Sequence, residues 1–122
     1  MSRGEIVKLG VGIGVTYISW YLAGPMTGLP ESNYPAFTRA CRDLRKLDLK
    51  IISPHETLNN QDGAVSWHIC LKHDLRTLTQ CGGLILLPGW AASRGARLEF
   101  QTALALDMPI MYFEPPVLVR IA

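Results

Sequence analysis

The chain has 122 residues, of which 48% are hydrophobic and 18% charged, with a net charge of +2. That length accommodates one hydrophobic core over residues 1–122, and the apolar balance excludes a disordered chain. The small net charge gives no footprint for polymeric nucleic acid or a membrane surface: acidic residues interrupt the basic run 39–50, whose apolar residues fall at helical spacing.

Residues 1–14 form an extension without a clear element. The apolar stretch 7–23 is broken by Gly10, Gly12 and Gly14, lacks a signal-peptide pattern, and falls short of a convincing bilayer span. The glycine run superficially suggests a nucleotide loop, but no strand is predicted before it and no helix after it. Residues 15–22 are β-branched and aromatic and predict a strand. The two glycines and two prolines of residues 24–30 force a loop. Ser32 or Asn33 is expected to cap the next helix, with Pro35 in its first turn and Phe37, Ala40, Cys41 and Leu44 on its apolar face.

A short buried strand is predicted at 50–53, ended by Pro54, and a polar loop follows around 59–63. The next helix, about 66–80, carries apolar residues at 67, 70, 71, 75 and 78. Residues 83–87 are continuously apolar, as in a central parallel strand covered on both faces. A third helix over 93–106 ends at Asp107 and Pro109, and 110–113 forms the last predicted strand. This alternation predicts an α/β, flavodoxin/Rossmann-like three-layer sandwich with a sheet of four or five mainly parallel strands. Ligands bind such sheets beyond the carboxyl ends of the strands, here the loops 23–30, 53–58, 88–93 and 114–116. Cys41, Cys70 and Cys81 show no metal spacing and cannot all pair, so reduced, buried thiols in a cytoplasmic protein are expected. His55 and His68 lack a third ligand at metal spacing, and no metal is expected.

Three segments could carry chemistry at that edge. In Tyr21-Leu-Ala-Gly-Pro-Met-Thr-Gly28, Gly24 and Gly28 allow close backbone approach around Pro25 and Met26, and Thr27 offers a hydroxyl. Asp74 shares a helix face with positions 67, 70, 71 and 78, so a carboxylate stands in an apolar stripe and needs a partner, a raised pKa or an open cleft. In the stretch 88–99, Ser93 can cap the helix, leaving the amides of Arg94, Gly95 and Ala96 as donors for a phosphate. Glu99 lies six residues further on, between Ala96 and Ala103, small residues that let the helix approach the sheet. Trp90 could equally stack on a base or plug the sheet edge.

Tyr21-Leu-Ala-Gly-Pro, His73-Asp-Leu75 and Ser93-Arg-Gly-Ala-Arg-Leu-Glu99, in this order and spacing, resemble the nucleoside 2-deoxyribosyltransferase superfamily, closest to a small phage-type branch. The resemblance implies a Glu99 nucleophile that forms a glycosyl-enzyme ester, a Tyr21 hydroxyl that orients it, and Asp74 as proton donor to the leaving base. It also implies a homodimer and no cofactor. Ser93, six residues before the nucleophile, is similar to the pattern of nucleoside 5′-monophosphate N-glycosidases, where transferases for free nucleosides tend to have Asp. Gly82, where many members have Asp, and Arg97, where others have a small or apolar residue, depart from the family pattern. The expected activity is cleavage or transfer at the N-glycosidic bond of a (deoxy)nucleoside or its 5′-monophosphate. The alternatives are a non-catalytic nucleotide-binding module on the same fold and a glycohydrolase of an NAD-type dinucleotide.

Overall fold

The computed structural model describes residues 6–10, 12 and 15–122. Its elements in chain order are β1 (Val7–Leu9), β2 (Ser19–Ala23), α1 (Tyr34–Arg45), β3 (Lys50–Ile52), the single turn α2 (Pro54–Thr57), α3 (Trp67–Gln80), β4 (Gly83–Leu86), α4 (Arg94–Ala105), β5 (Ile110–Glu114) and β6 (Val117–Arg120). One sheet has the order β1-β6-β5-β4-β2-β3. β2 pairs in parallel with both β3 and β4, and β4 with β5, whereas β6 returns antiparallel to β5. The α/β sandwich expected from the sequence is therefore present, with six strands rather than four or five.

The two additional strands are the ones without a helix on either side. β6 is joined to β5 by a tight turn at residues 115–116, so that segment closes a hairpin instead of contributing to a binding edge. β1 lies parallel to β6, and so runs against β2–β5. A strand thus precedes the glycine run, contrary to the sequence expectation. Gly10 nevertheless leaves β1 at the opposite edge of the sheet from the carboxyl ends of β2 and β4. Val11, Ile13 and Gly14 lie outside the described residues.

Alternation along each strand sorts the core onto two faces. Trp20, Leu22, Ile85, Met111 and Phe113 pack with Phe37, Cys41 and Leu44 of α1. Tyr21, Ala23, Leu84, Leu86 and Ile110 face the other way, with Leu78 of α3 and Ala103 of α4. This parity points Tyr21 toward α3 and α4. The first predicted strand is shorter than expected: Val15–Tyr17 is a 3-10 turn, held where the Trp20 indole donates to Val15 O at 2.7 Å, and Tyr17 is 82% exposed.

Neither expected cap begins α1. Asn33 is left-handed at φ 61°, and its side-chain amide donates instead to Pro25 O at 2.9 Å. The Ser32 hydroxyl donates to Gln61 O at 3.1 Å. Both residues tie loops together rather than capping a helix. Ser66 likewise makes no cap bond to α3.

Of the three cysteines, all free, only Cys41 is fully buried. Burial pushes all three thiols upward. No helix is long and apolar enough to cross a membrane among the described residues.

Gly83 opens β4 directly against the Trp20 ring, where an added Cβ would lie 2.4 Å from Cε3 and Cζ3. Because Trp20 is itself buried and hydrogen-bonded, it has nowhere to move. Gly83→Ala is expected to lower unfolding free energy by about 1–3 kcal/mol through overpacking. Urea denaturation would read this as a lower midpoint with unchanged slope; an unaltered midpoint would show that the Trp20 contact is not tight.

Candidate active site

Strand order reverses between β2 and β4, the position at which doubly wound sheets open a crevice at their carboxyl edge. A cleft of about 420 Å³ lies there, within the range of small-molecule sites. Gly24, Met26, Thr27 and Gly28 form one side, Pro54, Tyr34 and the segment 58–66 a second, and the facing sides of α3 and α4 most of the rest.

The loop after β2 is shaped by its glycines. A Cβ on Gly24 would meet Leu87 Cβ at 3.0 Å and Phe37 Cζ at 3.4 Å, so a side chain would be crowded where the chain turns out of the sheet. Gly28 adopts φ +81° over open space. Pro25 does not line the cleft: its carbonyl is held by Asn33.

Along α3, Trp67, Cys70, Leu71 and Asp74 share one face, as their spacing requires. That face lines the cleft, whereas Leu78, a turn beyond, is the only fully buried residue of the helix. The apolar stripe is thus a binding wall before it becomes core. Asp74 stays partly exposed beside the His73 ring, whose Nδ1 lies 3.4 Å from Oδ1. Burial raises its pKa, and His73 opposes that rise.

Ser93 caps α4 as expected, its Oγ accepting the Ala96 amide at 3.2 Å. The Ala96 amide is therefore taken, which leaves the amides of Arg94 and Gly95 for an anion, not all three as the sequence suggested. Ser93, Gly95 and Ala96 line the cleft. Arg94 is exposed and does not line the cleft, but its guanidinium carbon lies 4.2 Å from the centre of the Trp67 ring, which does. Arg97 turns away and donates to Ala91 O at 3.0 Å, so its bulk does not enter the cleft. Gly82 is accounted for as well: a Cβ there would sit 2.6 Å from Ile18 Cβ.

Glu99 is the most deeply buried ionisable group lining the cleft. Ala96 and Ala103, one turn to either side, are buried against the sheet, and Glu99 itself is only 6% exposed. Tyr21 lies behind it, fully buried and off the cleft surface. The Tyr21 hydroxyl and Glu99 Oε2 both lack a hydrogen-bond partner among the described residues. They are nonetheless close enough to influence one another. Burial pushes the Glu99 pKa up to about 8, the Tyr21 hydroxyl partly offsets this, and Asp74 adds to the rise. Burial likewise drives Tyr21 well above its ordinary value, with Glu99 and Asp74 adding to it. An unpartnered buried carboxyl is costly unless it is neutral or a ligand completes it.

Several cleft residues carried no distinct signal in the sequence. The Tyr34 hydroxyl donates to Leu58 O at 3.2 Å and accepts the Asn60 amide at 2.7 Å. Asn60 uses both ends of its side chain, accepting from Val65 N at 2.7 Å and donating to Val65 O and Cys70 Sγ at 3.2 Å each. These bonds fold residues 58–66 into a wall over the cleft. Trp67, not Trp90, is the tryptophan at the site. Trp90 packs on Phe100 with centroids 4.7 Å apart and plugs the sheet edge. A tryptophan opening a helix directly after a polar loop was the one available hint.

Cys41, His55 and Glu56 come within metal-ligating distance of one another through the fold, a grouping that sequence spacing did not show. His55 and Glu56 already have protein partners. His55 Nδ1 meets the Ser53 hydroxyl and Nε2 that of Thr38, while Arg45 binds both carboxylate oxygens of Glu56, at 2.9 and 2.5 Å.

Comparison with known proteins agrees with this architecture. The solution structure of BlsM superposes with a TM-score of 0.61 at 22% identity, covering 83% of this chain and 66% of BlsM, just under two thirds of its length. At that identity the likeness speaks for the fold alone. No curated protein matches the chain. The model of a domain family of unknown function, DUF4406, matches residues 18–112, which take in β2 to α4 and every residue lining the cleft. The chain belongs to the DUF4406 family.

Proposed function

We propose that the protein cleaves or transfers at the N-glycosidic bond of a (deoxy)nucleoside or its 5′-monophosphate, with Glu99 as nucleophile. The observation that carries this reading is the buried Glu99 carboxyl, with an unpartnered oxygen, beside a second carboxyl in a cleft of small-molecule size. The resemblance to nucleoside 2-deoxyribosyltransferases supports it independently, through the order of the three motifs that meet at this cleft. A homodimer acting without a cofactor goes with the same resemblance, and a cytoplasmic location with three free cysteines.

The chemistry follows from two carboxyls with unequal surroundings. The Glu99 carboxylate attacks C1′ as the C1′–N bond breaks, and the base leaves with a proton from Asp74. The resulting C1′ ester on Glu99 is opened by water, or by a second base, while the Asp74 carboxylate takes the proton released. Tyr21, behind Glu99, is close enough to favour its charged form. The working form of the pair carries one proton, on Asp74.

The protein's own surroundings favour the reverse: Glu99 is more deeply buried than Asp74, and burial pushes its pKa up to about 8. The two groups titrate as a coupled pair, so the one-proton state is populated between their two apparent pKa values, and the reactive arrangement is a minor form of it. The deep burial of Glu99, which favours its neutral form, is the observation that supports the second reading, a non-catalytic nucleotide-binding module on this fold.

Glu99→Gln is expected to abolish release of free base, by a thousandfold or more, while ligand affinity stays within a few-fold; chromatography of nucleosides and 5′-monophosphates measures the first and calorimetry the second. Binding without turnover in the wild type would select the binding module. If the pair works as described, kcat/KM falls on both sides of a maximum, with its basic limb near pH 8 where the last proton leaves the pair. A rate that keeps rising above pH 9 would exclude Asp74 as donor.

Stability gives a separate check. The folded-state pKa of Glu99 lies above its ordinary 4.5, so the folded form loses stability as pH rises from about 4.5 through about 8. Glu99→Gln removes that loss. Its thermal stability should exceed wild type at pH 9, on the order of 4 kcal/mol, and the advantage should vanish by pH 4.5. A pH-independent difference would mean that Glu99 ionises normally.

A further inference from the structure

The walls of the cleft include the carboxyls of Asp74 and Glu99 and no lysine or arginine among the described residues. A phosphate dianion entering it would meet like charge unless a cation stood at the mouth. Arg94 is that cation. Its guanidinium lies 4.2 Å from the centre of the Trp67 ring, and Trp67 lines the cleft. The two unspent amides at the start of α4 belong to Arg94 and Gly95, and a Cβ on Gly95 would lie 3.9 Å from Trp67 Nε1, so indole, amides and guanidinium meet at one place. Arg97 is withdrawn by its bond to Ala91 O. Lys72 and Arg76 project from the side of α3 opposite Trp67 and Leu71. Glu99, deeper in the same cleft, brings to its wall a buried carboxyl whose Oε2 lacks a protein partner among the described residues.

We propose that Arg94 is the specificity-determining residue for a 5′-phosphate, and that Trp67 positions it. This inference rests on the nucleoside-or-nucleotide reading above and selects the monophosphate. Stacking on the indole holds the guanidinium over the α4 amides before a ligand arrives, so little side-chain freedom is lost on binding. The phosphate then takes charge-assisted bonds from Arg94 together with the Arg94 and Gly95 amides. A free nucleoside gains nothing from Arg94 and is bound by the remainder of the cleft. His68, whose ring stands edge-on to Trp67 at 5.3 Å, is the neighbouring group from which Arg94 must be distinguished.

The test is calorimetric binding, in a Glu99→Gln background that prevents turnover, of deoxynucleoside 5′-monophosphates, the matching deoxynucleosides, 2-deoxyribose 5-phosphate and 2-deoxyribose. The readout is the ratio of affinities with and without phosphate. Arg94→Ala should reduce that ratio at least tenfold with nucleoside affinity unchanged, and Arg94→Lys should reduce it less. Trp67→Leu should lower the ratio and Trp67→Phe restore it, an effect that simple loss of packing would not produce. His68→Gln should leave it unchanged. A ratio unaltered by Arg94→Ala, or one that follows His68 instead, overturns the proposal. Should 2-deoxyribose 5-phosphate bind in an Arg94-dependent way while the wild type cleaves no nucleotide, the glycosidase reading fails and the clamp stands. If no phosphorylated ligand binds, the clamp is wrong whatever the activity.

Discussion

The close seating of α4 on the sheet is the constraint from which the site follows. Ala96 and Ala103 present almost no side chain, so the helix approaches β2 and β4 until Glu99, between them, is sealed against Tyr21. Larger residues at either position would lift the helix and let water reach the carboxyl. Burial at this depth makes Glu99 a group that ionises only near pH 8, and it leaves Oε2 without a protein partner. An enzyme can use such a group because each interaction it makes is stronger where water is absent. The same burial carries a stability penalty whenever the group is charged, a tension common at functional sites.

α3 supplies the opposing wall by dividing its apolar stripe between two tasks. Its first two turns, with Trp67, Cys70, Leu71 and Asp74, face the cleft, and its last turns, with Leu75 and Leu78, pack on the sheet. Asp74 stands near the boundary, desolvated enough to be shifted yet open enough to exchange protons. Residues 58–66 complete the enclosure without regular structure, because Asn60 and Tyr34 satisfy the backbone of the loop that a helix or strand would otherwise satisfy. Every polar group Asn60 owns is used in this way, so it shapes the cleft instead of reading a ligand.

Much of this was readable from residue order. The helices α1, α3 and α4 and the strands β2 to β5 follow from apolar periodicity and from punctuation by glycine and proline, which are local properties of the chain. Ser93 at the start of α4 and Glu99 two turns later were evident for the same reason: a cap and a helical repeat are fixed by short-range spacing. β1 and β6 escaped because they lie at one side of the sheet without an intervening helix, so the alternation that reveals a parallel sheet does not include them. The expected caps at Ser32 and Asn33 failed because their side chains found better partners at Gln61 and Pro25, far off in sequence or across a turn.

Residue types and their spacing were thus enough to establish an α/β sandwich, the helix carrying Glu99, and an acid at position 74 that needed explaining. They could not tell a helix face that packs from one that stays open, because Trp67, Leu71 and Leu78 are equally apolar and differ only in what the fold sets opposite them. For the same reason the role of Trp90 stayed open and that of Trp67 went unseen: one met Phe100, the other met Arg94 and the cleft. The meeting of Glu99, Tyr21 and Asp74 and the wall built around Asn60 join residues from separate elements. Such contacts exist only once the sheet has brought its carboxyl edge together, and no local pattern in the chain encodes them.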